Sequence, residues 1–544
     1  MSIASLIVLI VSIHSVHSVH LLVGSHSMSL SHVKLTFDVA EDMQKTGRHI
    51  VTEIRWPVMK VIADYPARKG FRSLLLNKTY EHASKLDFLS AMIDDSGWKK
   101  DDGIVDILKM FKGSWPLLSL PCEEALEDEK VARNLTSEGY NLGILDPFSG
   151  LCGAVAMRSG KIPFILLSPV VEPFTLGHVA GFPVPYSYVM SLTVAKADHE
   201  MNLIDRSANV LGHSFFRFFM WLQSYLLAKQ FAVKSDAAEL FKEFGNTMMI
   251  TNSHRFLEWP IPTSLARIDI GHRDTHGEDK IPKDILDFIE DEQSLGTIIF
   301  SMSTYTSSGK MPEEVMSMFA AAFAKFPDYR FIWRIHDFPS QLKAKNIYTA
   351  KWIPQTELLN HKKTVLLITH GGQNSVLEAI NAGVPMIGIP MMGDQHPNIE
   401  RVRTRNLGLR LTKSELTEEN IAKKIQELIH NQIYTTNAKK LASMLSTERS
   451  FSSHANSTWW LEYTLRHVNQ LGWIIPKGAE QVCLSVCASV LIGPKADRAP
   501  PRGERRKLPF LSTGRRPIVA SVGICAFLVR VGAPSRQELE YALS

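Results

Sequence analysis

Cysteine is scarce in this sequence, and its scarcity excludes two kinds of cross-linked protein. The 544 residues contain five cysteines, which are Cys122, Cys152, Cys483, Cys487 and Cys525. A chain built on a disulfide framework carries more of them for its length, and a structural zinc site needs closely spaced pairs. We therefore expect an ordinary apolar core, with room for one disulfide whose partners the sequence does not identify.

The excess of basic over acidic residues is also small. Lysine and arginine number 60 against 55 aspartates and glutamates, which gives a formal net charge of +5. Much of this excess lies in residues 501–507 and at Arg515 and Arg516, and no basic face with interleaved aromatic residues is evident. We therefore expect no nucleic-acid partner. The hydrophobic fraction of 45% is that of a globular protein, and the length favours more than one domain.

Apolar runs long enough to span a membrane are lacking too. Residues 3–13, 481–493 and 517–529 all fall short of the ~20 residues that a spanning helix needs. The first run has the length of a signal peptide, although no Lys or Arg precedes it, and a first buried strand is the other interpretation. We expect a signal peptide over residues 1–18 and entry into the endoplasmic reticulum. The candidate glycosylation sites are then Asn77, Asn134 and Asn456.

What the sequence does contain is an alternation of short apolar runs and amphipathic segments. Residues 20–24, 140–145 and 162–168 have the composition of buried parallel strands, and residues 33–47 carry a helical stripe. The same alternation resumes at residues 296–304. This pattern predicts an α/β fold with two doubly wound domains, which place a ligand cleft between them at the carboxyl ends of the strands.

Composition also suggests where these domains begin and end. We expect an N-terminal domain over residues 19–270 and a second domain over residues 271–472, with the interdomain linker in residues 259–282. Residues 473–544 are expected to be an atypical, disordered tail. The aromatic run at residues 213–222 predicts a helix that belongs either to the core or to the lining of an apolar pocket.

The strongest functional pattern lies in residues 351–398. An apolar strand leads into a His-Gly-Gly turn that begins at His370, and the helix that follows can be capped by Asn374 or Ser375 and ends at Gly383. A strand, a glycine-rich turn and a helix N-terminus in succession favour a phosphate or diphosphate ligand. The reason is that free N–H groups and the helix dipole attract negative charge there.

This stretch resembles the donor-binding signature of the UDP-glycosyltransferases, and in particular of the animal UDP-glucuronosyltransferases. The matching motifs are W-x-P-Q from Trp352, H-G-G-x-N-S-x-x-E from His370, G-V-P-x-x-x-x-P from Gly383, and D-Q from Asp394. The resemblance covers roughly residues 19–472. It implies the GT-B architecture, in which two Rossmann-like domains face a central cleft, and a UDP-sugar donor with no separate cofactor. A metal is not expected, because no Asp-x-Asp motif stands where a metal-dependent transferase needs one.

The resemblance assigns roles to the residues that would hold the nucleoside. Trp352 would stack on uracil, Gln355 would bond the uracil edge or the ribose, and Glu378 would bond the ribose hydroxyls. The assignments of Trp352 and Glu378 each compete with a structural interpretation. Trp352 is also consistent with a core aromatic residue, and Ser375 with Glu378 fits a helix capping box.

The diphosphate and the sugar would lie further along the same stretch. His370 and the N–H groups of residues 372–375 would hold the diphosphate, while Asp394 and Gln395 would bond the sugar hydroxyls or, alternatively, form a simple turn. One departure from the family pattern is Ser303, which replaces a glycine and puts a Cβ near the diphosphate. The full set of expected donor contacts is Ser301, Trp352, Gln355, His370, Gly372, Asn374, Ser375, Glu378, Asp394 and Gln395.

Two polar residues at predicted strand ends in the N-terminal half would carry the chemistry. The resemblance identifies His32, fifteen residues before Gly47, as the general base and Asp146 as the carboxylate that orients it. A neutral imidazole can take the proton of an acceptor hydroxyl, and a carboxylate fixes its tautomer. His26 is the rival for the base, and capping or packing is the alternative role for both residues.

The sequence therefore predicts an inverting glycosyltransferase. The enzyme would move a hexosyl group, glucuronosyl by default or glucosyl alternatively, from UDP to a hydroxyl of a small lipophilic acceptor. A second class stays open, in which the protein binds UDP-sugars without turnover as a partner of full-length relatives. The resemblance also implies membrane association in the endoplasmic reticulum and homo- or hetero-oligomers with related transferases, although no anchor is evident after residue 472.

Overall fold

The structure, a computed structural model, describes the greater part of the chain between residues 19 and 467. The described residues are 19–24, 30–47, 49–55, 66–75, 98, 128–147, 150–169, 187–191, 201–230, 247–261, 266–271, 280–302, 311–391, 393–451 and 457–467. The predicted signal peptide and tail lie outside them, as do His26, Asn77, Ser303, Asn456 and every cysteine except Cys152. Within the described part, no helix combines the length and the apolar character needed to cross a bilayer.

Seven parallel strands form the first sheet, in the order β3-β2-β1-β4-β5-β6-β7. They are β1 (Val19–Gly24), β2 (His49–Arg55), β3 (Arg72–Leu75), β4 (Leu142–Leu145), β5 (Phe164–Ser168), β6 (Met249–Thr251) and β7 (Arg267–Asp269). Their apolar side chains are buried on both faces of the sheet, as parallel sheets require. Residues 19–271 are called the first half below.

Six parallel strands form the second sheet, in the order β10-β9-β8-β11-β12-β13. They are β8 (Gly296–Ser301), β9 (Tyr329–Arg334), β10 (Ile347–Ala350), β11 (Thr364–Thr369), β12 (Met386–Gly388) and β13 (Gly408–Arg410). All six residues of β8 are buried, which fits a central strand. Residues 280–451 are called the second half.

Helices connect the strands in both halves. In the first half they are α1 (Leu30–Lys45), α2 (Glu129–Ser137), α3 (Gly150–Ser159) and α4 (Leu203–Gln230). Those that follow are α5 (Lys283–Ile289), α6 (Glu313–Ala324), α7 (Gln355–Asn360), α8 (Gln373–Asn381), α9 (Gln395–Thr404), α10 (Glu418–His430), α11 (Gln432–Phe451) and α12 (Ser457–His467). The predicted architecture of two doubly wound parallel sheets is confirmed.

The predicted linker is wrong in part. Arg267–Asp269, within the expected linker of residues 259–282, is strand β7 and pairs with β6 at the edge of the first sheet. A strand of three residues is too short to show the alternation of apolar and polar side chains, so the local sequence does not reveal it.

The last described helix returns to the first half. Leu461 of α12 belongs to the apolar core around the first sheet. Oγ1 of Thr464 donates to Sδ of Met248 at 3.1 Å, and Nε2 of His49 lies 2.8 Å from Oε1 of Glu462. The chain therefore crosses between the two halves a second time, between α11 and α12.

Candidate active site

The strands of the second sheet bring several polar residues to one edge. The parallel register pairs Ser301 at the end of β8 with Arg334 at the end of β9 and with Thr369 at the end of β11. These positions lie on the carboxyl edge, where α/β sheets bind their ligands. Ser301, an expected donor contact, is thus at this edge, and its side chain is buried.

The glycine-rich turn follows β11 directly, as predicted. Gly371 has a φ of 84°, and a Cβ there would lie 2.4 Å from Cγ1 of Ile399, so a larger residue would not fit. Gly372 then takes the N-cap position of α8, and no side chain caps the helix. The prediction that Asn374 or Ser375 caps it is wrong, because both residues lie inside the first turn.

Because no side chain caps α8, its N-terminus is available to an anion. The first N–H groups of a helix have no acceptor within the helix, and the positive end of the helix dipole lies beside them. The predicted stripe of Val376, Leu377 and Ile380 is buried, so packing fixes the direction of the helix. The turn and the first residues of α8 together form a binding surface for phosphate oxygens.

His370 and Arg334 contribute differently to this edge. Burial lowers the pKa of His370 to about 4, and the nearby Arg334 guanidinium adds to the effect. His370 is therefore a neutral hydrogen-bonding group near pH 7. Burial also lowers the pKa of Arg334, but a guanidinium stays protonated at that pH. Its buried Nε has no hydrogen-bond partner among the described residues, so Arg334 supplies positive charge that a ligand could use.

Sequence reasoning missed Arg334. Arg334 is the last residue of β9, and a basic side chain at the carboxyl end of an apolar strand is the pattern that would have identified it.

Gln355, Ser375 and Glu378 form a hydrogen-bonded cluster beside this surface. Nε2 of Gln355 donates to Oε2 of Glu378 at 2.7 Å and to Oγ of Ser375 at 3.1 Å. Burial raises the pKa of Glu378, while the Gln355 bond and the charges of Lys34 and Arg334 act in the opposite direction. The capping-box interpretation of Glu378 is wrong, because Ser375 is the third residue of α8 and not its N-cap.

Trp352 is exposed on the surface and is close in sequence to Gln355 of this cluster. It precedes α7, and 56% of its surface is exposed. The interpretation of Trp352 as a core aromatic residue is therefore wrong. An exposed indole three residues before Gln355 offers a flat apolar face to a planar ligand.

Asp394 and Gln395 open α9. Asp394 makes no capping bond, and its Oδ2 accepts instead from Nδ2 of Asn398 at 2.8 Å. Burial raises the pKa of Asp394, and the Asn398 bond and the charge of His32 act against that rise. Oε1 of Gln395 accepts from the backbone N–H of Met391 at 2.8 Å, so this end of its side chain holds the preceding loop.

The expected acid–base pair is formed in the first half. Nδ1 of His32 lies 2.7 Å from Oδ2 of Asp146, whose side chain is completely buried. Asp146 follows β4 directly, as predicted. His32 does not end a strand as expected, because it is the third residue of α1. A carboxylate only accepts hydrogen bonds, so in the neutral ring Nδ1 carries the hydrogen and Nε2 is the acceptor.

Residues of the two halves meet at this site. Burial raises the pKa of Asp394 overall, and a positive charge on His32 would oppose that rise, so α1 lies within electrostatic reach of the second half. Nδ2 of Asn252, which follows β6, donates to Oδ1 of Asn374 in the first turn of α8 at 2.7 Å. The first half, which carries the base–carboxylate pair, therefore contacts the second half at the first turn of α8.

This arrangement combines proton abstraction with charge stabilisation. The imidazole of His32 can take a proton from a hydroxyl, and the N-terminus of α8 with Arg334 can stabilise a departing phosphate group. Among the residues that the structure describes, no three His, Cys, Asp or Glu side chains are grouped as a metal site would need.

The sequence matches one protein family over most of its length. The family is described as "UDP-glucoronosyl and UDP-glucosyl transferase", and the match covers residues 21–470. UDP-glucuronosyltransferase 1A7 of Mus musculus is 27% identical over 454 residues, which are 81% of this chain and 82% of that protein. UDP-glucuronosyltransferase 2B17 of Homo sapiens is 29% identical over 353 residues, or 64% of this chain and 65% of that protein.

Solved glycosyltransferase structures share the fold. The calicheamicin glycosyltransferase CalG4 is 16% identical and superposes with a TM-score of 0.54 over 83% of this chain and 99% of its own. UGT2 of Phytolacca americana, solved with UDP-2fluoro-glucose and pterostilbene, is 15% identical with a TM-score of 0.54 over 83% of this chain and 99% of its own. At these identities the likeness shows the GT-B fold alone.

Proposed function

Since the chain belongs to the family of UDP-glucuronosyl and UDP-glucosyl transferases and is a glycosyltransferase, we propose that it moves a hexosyl group from UDP to a small lipophilic acceptor. The group would be glucuronosyl in the first instance, the acceptor atom a hydroxyl oxygen, and the product a β-glycoside. The observation that carries this proposal is the His32–Asp146 pair, 2.7 Å apart, with its carboxylate fully buried.

In the proposed mechanism, Nε2 of His32 takes the proton of the acceptor hydroxyl. The oxygen attacks the anomeric carbon of the UDP-α-sugar in line, and the bond between that carbon and the diphosphate oxygen breaks. The proton remains on His32, where the carboxylate of Asp146 stabilises the imidazolium. Because attack comes from the face opposite the leaving UDP, the anomeric configuration inverts.

The second half would hold the donor and stabilise UDP as it leaves. Negative charge grows on the diphosphate during the reaction, and the N-terminus of α8 and the Arg334 guanidinium would interact with it. His370 would contribute a hydrogen bond without charge, since its pKa is lowered to about 4. No part of this mechanism requires a cofactor beyond the donor itself.

Other residues of the cleft would recognise the uridine and the sugar. The exposed ring of Trp352 would stack on uracil, and the linked pair of Gln355 and Glu378 would bond the ribose. Asp394 would bond the sugar hydroxyls, and Gln395 would join it on exchanging its bond to the Met391 N–H. Glucosyl transfer is the alternative, because these side chains would bond hydroxyls and phosphates, which the two donors share.

The test is turnover with defined donors. Purified protein would be incubated with UDP-glucuronate or UDP-glucose and a panel of phenols, and the glycoside and UDP formed would be measured. We expect turnover with at least one donor, and a roughly 100-fold or larger loss of kcat in His32→Gln. His430→Gln is the matched control. His430 lies on α10, and its Nδ1 is 2.8 Å from the Gln426 carbonyl oxygen of the same helix.

Two results would redirect the proposal. Binding of UDP with no turnover on either donor would leave the second class, a UDP-sugar-binding partner of related transferases. The absence of both UDP binding and turnover would overturn the proposed function.

We also propose, from the apolar run at residues 3–13, that the protein enters the endoplasmic reticulum. Resistance of the protein in sealed microsomes to added protease would support that placement, and digestion would contradict it.

A further inference from the structure

A fully buried arginine connects the two halves beside the donor site. Arg401 lies on α9, and its side chain has no exposed surface. Its Nη1 donates to Oε2 of Glu258 in the first half, and its Nη2 donates to Oδ1 of Asn398 and, at 3.0 Å, to Oε1 of Gln373. Burying a guanidinium is costly unless it is paired and hydrogen-bonded, so this arrangement depends on all of these partners.

The bond to Asn398 determines which way that amide points. A guanidinium only donates hydrogen bonds, so the oxygen of the Asn398 side chain must face Arg401. The amide nitrogen then faces two acceptors, Oδ2 of Asp394 at 2.8 Å and the carbonyl of Gly371 at 2.9 Å. Arg401 is thereby linked, through one side chain, to the expected sugar contact and to the glycine turn.

The same reasoning applies to Gln373. Arg401 occupies its oxygen, so its amide nitrogen donates to the backbone carbonyl of Asn252 at 3.0 Å. The side chain of Asn252 in turn donates to Oδ1 of Asn374 at 2.7 Å. The first turn of α8, where the diphosphate would bind, is therefore held by a segment of the first half.

The segment of the first half is itself fixed around Glu258. Oγ of Ser253 donates to its Oε1, while Arg401 takes its Oε2. Arg405, which directly follows α9, donates from Nε to the Phe256 carbonyl at 3.0 Å and also bonds the Glu258 carbonyl. Arg401 and Arg405 thus both bind residues 253–258.

We propose that Arg401 is a positioning residue for the donor site. It touches no substrate, but it orients Asp394 and the Gly371 carbonyl through Asn398, and it ties both to the first half through Glu258. Donor affinity then depends on the packing between the halves, because the same guanidinium serves both. This inference rests on the proposed function, since it assumes that Asp394 and the turn hold a UDP-sugar.

The experiment compares variants that keep the fold. In Arg401→Lys the charge can still reach one acceptor, but an ammonium lacks the planar fork that spans Glu258, Asn398 and Gln373. The double variant Arg401→Met/Glu258→Gln removes both charges and leaves no unpaired carboxylate. The matched control is Arg403→Met, two residues along the same helix, where Nη2 of Arg403 pairs with Oε1 of Glu400 at 2.6 Å.

The readouts are the Kd for the donor by calorimetry, the KM values for donor and acceptor, kcat, and the thermal midpoint. We expect Arg401→Lys and the double variant to raise the Kd and KM of the UDP-sugar about 10- to 100-fold, because a misplacement on the order of 1 Å has effects of that size. The KM of the acceptor should stay near the wild-type value. Asn398→Ala should reproduce the donor effect, and adding it to Arg401→Lys should cause little further loss.

The inference is overturned if folded Arg401→Lys or the double variant binds the donor as tightly as the Arg403→Met control. It is also overturned if donor and acceptor KM rise equally, since that pattern indicates general loosening. The wild type separates this failure from a failure of the proposed function. A wild type that binds no UDP-sugar refutes the proposed function, whereas a wild type that binds and transfers the sugar, with variants that match the control, refutes only the role of Arg401.

Discussion

Nδ1 of His32 is held 2.7 Å from Oδ2 of Asp146, although the two residues are 114 positions apart in the chain. One lies in the first turn of α1, and the other follows β4. Strands β1 and β4 are neighbours in the first sheet, so the topology brings the end of β4 beside the start of the helix that follows β1. The pair therefore depends on the sheet order.

Asp146→Asn should lower kcat by roughly 100-fold or more while leaving the Kd of the donor unchanged. An asparagine can present its amide nitrogen to Nδ1, which would favour the tautomer in which Nε2 carries the hydrogen and cannot accept a proton. Single-turnover kinetics and calorimetry measure the two quantities. A kcat within threefold of wild type would contradict the assigned role of Asp146.

Gly372→Ala should weaken donor binding without unfolding the protein. The backbone at Gly372 has a φ of −61°, which any residue adopts, but a Cβ there would lie 2.4 Å from Nε2 of His370. The ring must therefore move, and we expect the Kd for UDP to rise about tenfold. Calorimetry and a thermal melt measure the effect. Gly371→Ala is the contrasting variant, which should lower the thermal midpoint because its φ is 84° and Ile399 blocks the added carbon.

Trp352→Ala should raise the Kd of UDP while leaving the thermal midpoint close to wild type. Stacking of a base on an aromatic side chain contributes about 1–3 kcal/mol, and a ring that is 56% exposed contributes little to the core. Trp459→Ala is the matched control, because Trp459 is 39% exposed on α12, stacks on Tyr463 and is not one of the proposed donor contacts. Equal Kd values for the two variants would refute the stacking role.

His213 predicts a pH dependence of stability. Burial lowers its pKa to about 4 from an ordinary value of 6.5, and its Nε2 lies 3.1 Å from the Val189 carbonyl. Between these two values the unfolded chain binds a proton that the folded protein does not, so the free energy of unfolding falls as pH drops from 6.5 to 4. The loss is at most about 3 kcal/mol.

The variant His213→Gln isolates this contribution, since an amide can keep the bond to Val189 but does not titrate. Thermal midpoints of wild type and variant should converge, or cross, as the pH is lowered from 7 to 4.5. A difference between the two midpoints that stays constant over this range would show that His213 is not the titrating group.

Much of the fold was predictable because parallel strands are short apolar runs whose position can be read locally. Such runs predict β1, β5, β8 and β11, and the His-Gly-Gly turn follows β11 as the sequence predicts. The three-residue strands β7 and β13 are not predicted, because so few residues show no period.

The features of the site also divide into those that local sequence pattern predicts and those that it does not. The position of Asp146 after β4 follows from local pattern, and so does the turn at His370. The N-cap at Gly372 and the contacts of Arg401 do not, because each depends on residues that are distant in sequence. Arg401 and Glu258 are separated by 143 positions, and nothing near either residue indicates the other.

The return of α12 to the first sheet gives the two halves a double tether. Two covalent crossings define a line, and rotation about that line is the motion that stretches neither crossing. Opening and closing of the cleft should therefore be mainly a rotation about this line, and the two crossings limit how far the halves can separate. A protease cut at one crossing would leave the halves attached through the other, so the nicked protein should still migrate as one particle until it is denatured.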